Sequence, residues 1–136
     1  MDTTFARCWL RFEGLAALVT ATLLYGHFGL NWFWFGVLFL APDLSMIGYL
    51  AGNRIGALAY NLGHTYVLAG VVLGAGLLAG LMGSPRLALL GVGLIWCAHI
   101  GFDRALGYGL KSPEGFRFTH LGKIGRDQPS RLPPQG

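Results

Sequence analysis

The sequence predicts an all-α fold, an integral membrane four-helix bundle with short turns and a cytoplasmic C-terminal tail. Three observations carry that reading. Four apolar stretches approach or exceed the roughly 20 residues that cross a hydrocarbon core of about 30 Å as a helix. Hydrophobic residues make up 54% of the 136 positions and charged ones only 12%, far from the balance of a soluble domain. Polarity then rises from Lys111 onward, where half of the ten basic residues lie, Lys111 included.

The first span is expected over about 12–30, starting after Arg11, with Glu13 at its entry and His27 near its exit. Asn31, Trp32 and Trp34 follow at once, as an interfacial aromatic belt would. The second span, about 31–51, contains Pro42, which frees a backbone carbonyl one turn earlier and is expected to kink the helix so that Asp43 and Ser45 point inward. Asn53 and Arg54 turn the chain into the third span, about 55–82, which carries Tyr60, Asn61 and His64. Its glycine pairs Gly70/Gly74 and Gly76/Gly80 have the four-residue spacing of close helix approach in lipid. Gly83-Ser84-Pro85 is turn chemistry, and the fourth span runs over about 86–110. Residues 1–126 read as one domain. In its tail segment the run GFRFTHLGKIG has the alternation of an ordered piece able to fold back under the bundle, whereas 127–136 is expected to be disordered.

Composition also excludes function classes. The net charge of +4 comes from basic residues near the chain ends without interleaved aromatics, so it fits an anionic lipid surface and no nucleic acid. Cys8 and Cys97 have no metal or disulfide spacing. No cleavage site follows the first apolar run, so a removable signal peptide is not expected. Both termini share one side with Arg7, Arg11, Arg54, Lys111 and the tail cations, and only Arg86 falls clearly on the other. The positive-inside rule therefore places both termini in the cytoplasm of a bacterial inner-membrane protein.

Within these apolar stretches stand Asp43, His64, His99 and Asp103. An ionisable side chain at membrane depth costs about 2.5 kcal/mol or more on insertion scales and implies a function or a partner. At 1.5 Å per helical residue all four lie at roughly 10–16 Å from the cytoplasmic end of their spans. His99 and Asp103 are four apart and stack on one helix face. Two imidazoles and two carboxylates suit a divalent ion such as zinc, manganese or iron, with Tyr60 and Asn61 as hydrogen-bonding support behind the ligands. Glu13 or His120 is the expected general base. Each residue also has a plainer reading: a structural His99–Asp103 pair, a cap at Asp43, a satisfied interior His64, a solvated His120. Arg104 and Glu13 read as side chains snorkelling to the inner interface.

The runs LRFEGLA, FLAPDLSMIGYLAG, GALAYNLGHTYVL, IWCAHIGFDRALGYGLK and FRFTHLGKIGR resemble a family of small four-span bacterial membrane proteins known as a domain of unknown function. The resemblance runs to about Arg126 and implies that Glu13, Asp43, His64, His99, Asp103 and His120 stand in the family's signature stretches. Pro42-Asp43 and Thr119-His120 are more loosely similar to motifs of membrane-embedded metal-dependent hydrolases, whose usual His-Arg-Gly element is absent here. The expected function is hydrolysis of a lipid-like or amphiphilic substrate. Two other readings stand beside it: a non-catalytic accessory or structural subunit, in a homo-oligomer or larger membrane complex, and a bis-histidine haem protein using His64 and His99. Transport is disfavoured by the expectation of unbroken spans in no repeated halves.

Overall fold

The computed structural model describes residues 4–84 and 86–125. Four helical stretches are long and apolar enough to cross a membrane, Thr4–His27, Trp32–Ala51, Asn53–Leu81 and Leu87–Leu106, and the chain is an all-α membrane protein. The segment 127–136, expected to be disordered, lies outside the described residues.

Helix α1, Thr4–His27, begins ahead of the expected span because no glycine or proline precedes Gly14 to stop it. Helix α2, Trp32–Leu38, is capped by the Asn31 side chain, which accepts from the Phe33 N–H at 2.9 Å. Tyr25 fixes the same corner by donating to the Asn31 carbonyl at 2.8 Å. Helices α3, Asn53–Gly63, α4, Tyr66–Leu81, and α5, Leu87–Leu106, complete the bundle.

Both central spans are interrupted. The second does more than kink at Pro42: α2 stops at Leu38, and the chain continues as a 3-10 helix over Ala41–Ala51. Pro42 has no N–H to give the preceding turn, and its own carbonyl accepts from Ser45 Oγ at 2.6 Å. The third, expected to be continuous, breaks after Gly63, and Thr65 restarts it as the N-cap of α4. Gly63, at the break, lets the 3-10 helix come close, because a Cβ there would lie 2.9 Å from Ser45 Oγ. The absence of broken spans, which weighed against transport, therefore does not hold.

Helix α5 is the centre of the fold. Its Leu90, Leu94, Ile95 and Ala98 pack with Ala21 and Tyr25 of α1 into the apolar core, and α1 and α4 are its main neighbours. Glycine makes this closeness possible. A Cβ on Gly101 would lie 2.6 Å from the Gly14 carbonyl oxygen, and one on Gly93 2.6 Å from the Leu73 Cα. Of the predicted glycine stripe on α4, only Gly76 serves in this way, against the Leu90 backbone; Gly70, Gly74 and Gly80 face open space.

The tail folds back as a three-stranded antiparallel sheet, β1 Lys111–Ser112, β2 Gly115–Thr119 and β3 Gly122–Lys123, in that order. Its anchor is a reciprocal pair, Asn61 Nδ2 donating to the Lys111 carbonyl at 2.9 Å and the Lys111 N–H donating to Asn61 Oδ1 at 2.7 Å.

Candidate metal centre

The two interruptions and the middle of α5 meet at one place. Asp43 is in the first turn of the 3-10 helix, His64 caps the C-terminus of α3, and His99 and Asp103 sit one turn apart on α5. One ligand atom from each lies within 4.8 Å of the other three. His64 Nε2 is 3.1 Å from Asp43 Oδ1, 3.4 Å from Asp103 Oδ2 and 3.1 Å from His99 Nε2. His99 Nε2 is 3.5 Å from Asp43 Oδ1 and 3.9 Å from Asp103 Oδ2. His64 and His99 are fully buried, whereas the Asp43 side chain is 39% exposed and forms the open edge of the cluster.

Hydrogen bonding assigns the atoms. His64 Nδ1 lies 2.9 Å from the Tyr60 carbonyl, which can only accept, so Nδ1 carries the hydrogen and Nε2 of the neutral ring presents its lone pair. That lone pair faces two carboxylate oxygens and another imidazole nitrogen. His99 Nε2 donates or accepts according to its tautomer, so the set is satisfied either by a hydrogen on that nitrogen or by a cation at its centre. Four donors around a small divalent ion at about 2.1 Å are spaced by about 3.4 Å in a tetrahedron, and the observed separations bracket that value.

Tyr60 supports the cluster twice. Its ring stacks on His64 with centroids 3.7 Å apart and planes 7° from parallel, and its hydroxyl donates to Asp103 Oδ2 at 3.2 Å. The Asn61 side chain, expected beside it behind the ligands, instead pins β1, and Asn61 meets the cluster only through its carbonyl, which accepts from the His64 N–H at 3.3 Å. The Lys111 ammonium lies 5.1 Å from the Tyr60 ring centroid and 3.8 Å from that of Phe116. Burial pushes its pKa down, opposed by the nearby Asp103 carboxylate.

The two expected general bases are elsewhere. Glu13 is exposed on α1 and joins no hydrogen bond or ion pair among the described residues. His120 sits in the turn between β2 and β3, where Nδ1 accepts from the Leu110 N–H at 2.8 Å. There it closes the connection from α5 to the sheet, and burial together with the Arg104 charge pushes its pKa down.

Arg104 is what sequence reasoning missed. It does not snorkel: it is buried, with Nη2 donating to the His64 carbonyl at 3.0 Å and Nη1 to the Tyr108 carbonyl at 2.8 Å. Trp96 of α5 donates from Nε1 to the Gly63 carbonyl at 2.5 Å. Together these two donors satisfy carbonyls that the break between α3 and α4 leaves without helical partners. The signal available was the break itself, since freed carbonyls at membrane depth require donors from a neighbouring helix.

A family model matches residues 7–124, its description being a domain of unknown function, DUF4260. The chain belongs to this family. The match takes in the 3-10 helix, α5 and the sheet, and so every residue of the cluster. Neither the curated proteins nor the solved structures contain a match to the chain.

Proposed function

We propose that this DUF4260 protein is a membrane-embedded metal-dependent hydrolase acting on a lipid-like or amphiphilic substrate. The observation that carries the reading is the convergence of four potential ligand atoms within 4.8 Å, with the His64 tautomer set by the Tyr60 carbonyl. Asp43, His64, His99 and Asp103 hold a divalent ion, zinc, manganese or iron, as their nitrogen and oxygen donors suit. When bound, such an ion lowers the pKa of water toward about 7 and polarises a carbonyl or phosphoryl oxygen. Because neither Glu13 nor His120 joins the cluster, Asp43, the member on the open edge, is the residue placed to take the proton of water. Charge distribution orients the protein in a bacterial inner membrane with both termini in the cytoplasm.

The same burial supports a second reading, a cluster that holds the bundle together in an accessory subunit. A bis-histidine haem fits poorly: the two Nε2 atoms are 3.1 Å apart, less than the roughly 4 Å that two opposed imidazoles with bonds of about 2 Å require.

Elemental mass spectrometry of the detergent-purified protein separates these readings. Near-stoichiometric zinc, manganese or iron is expected, lost in Asp43→Ala and His99→Ala while both variants remain inserted. Hydrolysis of lipid esters or phosphates is expected only from the metal-loaded protein. A metal-free wild type refutes the reading and leaves the structural role.

A further inference from the structure

A cavity of about 660 Å³ lies where the N-terminal part of α1, the end of α5 and the sheet meet. None of the four cluster residues lines it. Its walls follow from where each element stops. Helix α5 ends at Leu106, with Gly107 as a left-handed cap, whereas α1 packs Gly14 against Ala105 and continues past that end to Thr4. The sheet closes the third side. A Cβ on Gly122 would lie 3.2 Å from an Arg7 guanidinium nitrogen, so the bare backbone of β3 lets that side chain lie against it.

Charge and position define what fits. Three cations line the cavity from two separate elements, Arg7 and Arg11 one turn apart on α1 and Lys123 on β3, and among the described residues no carboxylate lines it. Arg11 is held at the wall by its Nε, which donates to the Ala105 carbonyl at 2.8 Å; a guanidinium held in this way still has Nη hydrogens to offer. Three like charges around one hollow raise a positive potential that draws an anion. Helix α1 has 24 residues, about 36 Å at 1.5 Å per residue, or about 6 Å more than a hydrocarbon core of about 30 Å. Arginine is costly inside that core, so the excess falls at the end that carries Arg7 and Arg11, in the layer of lipid phosphates. One turn deeper, Phe12 and Leu15 also line the cavity, exposed on the span itself. A molecule with a phosphate at one end and acyl chains at the other meets both parts of this surface, whereas a soluble phosphate leaves the apolar part uncovered.

We propose that this cavity binds the phosphate headgroup of an anionic phospholipid between Arg7, Arg11 and Lys123, with the acyl chains running down α1 past Phe12 and Leu15. The lipid is a bound ligand here and no bond in it is broken. The site is separate from the Asp/His cluster and stands whether or not that cluster holds a metal.

The experiment titrates the full chain in detergent with dioleoyl phosphatidylglycerol and, separately, dioleoyl phosphatidylcholine, and reads the bound lipid by native mass spectrometry. Wild type is expected to bind the anionic lipid about tenfold or more tighter than the zwitterionic one. Arg7→Gln and Lys123→Gln should each weaken phosphatidylglycerol about fivefold and together about 25-fold, leaving phosphatidylcholine unchanged. Lys123→Arg keeps the charge and should bind like wild type, as should Arg54→Gln, which removes a cation outside the cavity. If Arg7→Gln fails to insert, Lys123→Gln beside Lys123→Arg carries the test from the sheet. Equal affinity for the two lipids overturns the site. So does a loss in Arg54→Gln as large as that in Lys123→Gln, which means diffuse surface charge. Displacement of phosphatidylglycerol by soluble glycerol phosphate at equal concentration also overturns the lipid assignment, since the cavity then takes a free phosphate.

Discussion

Replacing Arg104 with Met keeps most of the side-chain volume and removes both of its donors. In the native protein those donors serve the His64 and Tyr108 carbonyls at 3.0 and 2.8 Å. His64 is fully buried, so water has no route to the carbonyl left behind. Leaving that buried acceptor unpaired costs about 1–3 kcal/mol, whereas the carbonyl of Tyr108, an exposed residue, can turn to water. At roughly 3–5 °C per kcal/mol for a chain of this size, the melting midpoint in detergent should fall by at least about 3 °C. The effect extends beyond stability. His64 is the C-cap of α3, and its imidazole loses its fixed position once its own carbonyl is released, so metal content should fall with the midpoint. Arg104→Lys retains one donor and should lie between the two. An Arg104→Met protein that melts within about 2 °C of wild type and keeps its metal would show that these bonds do not hold the break together.

Two further outcomes follow from packing and from protonation. Gly101→Ala sets a methyl group 2.6 Å from both the Gly14 carbonyl oxygen and the Leu18 backbone nitrogen, where backbone cannot yield cheaply; about 1–3 kcal/mol of stability should be lost, read as a lower midpoint, whereas Gly80→Ala, which meets nothing, should be neutral. The His120 pKa is lowered in the folded protein, so its contribution is present above the ordinary histidine value of about 6.5 and is lost as pH falls through the folded value. Acidification should therefore protonate Nδ1, break its bond to the Leu110 N–H and speed hydrogen exchange at Leu110, an acid effect that His120→Ala should abolish.

Much of this architecture is legible in the sequence, and the exceptions share a cause. Apolar length marks the four spans, and the i, i+4 spacing together with similar depths brings Asp43, His64, His99 and Asp103 into one prediction. These signals lie along single helices, where periodicity is informative. The break at His64 is invisible by that route, because Gly63-His64-Thr65 lacks proline and its stability comes from Trp96 and Arg104 on another helix. The 3-10 geometry after Pro42 is likewise a tertiary outcome, enabled where Gly63 admits the Pro42–Ser45 turn. Arg104 reads as an interfacial cation until its acceptors are known. Asn61 reads as support for the cluster because it neighbours Tyr60 in sequence, yet it points to β1 instead. For the tail, the alternating GFRFTHLGKIG run indicates order, and the structure supplies its strands.

The helix interruptions divide the protein's packing into two blocks. Helices α1, α4 and α5 are pressed together through glycine contacts, while the 3-10 helix packs chiefly on α3, which also carries the sheet. Asp43 and His64 belong to the second block, and His99 and Asp103 to the first. The seam between the blocks thus passes through the centre of the cluster, and the cation proposed for it would be a rivet across the seam. Loss of such a cation would then do more than disable the proposed chemistry: it would leave the two carboxylates unscreened at the joint and loosen one block against the other.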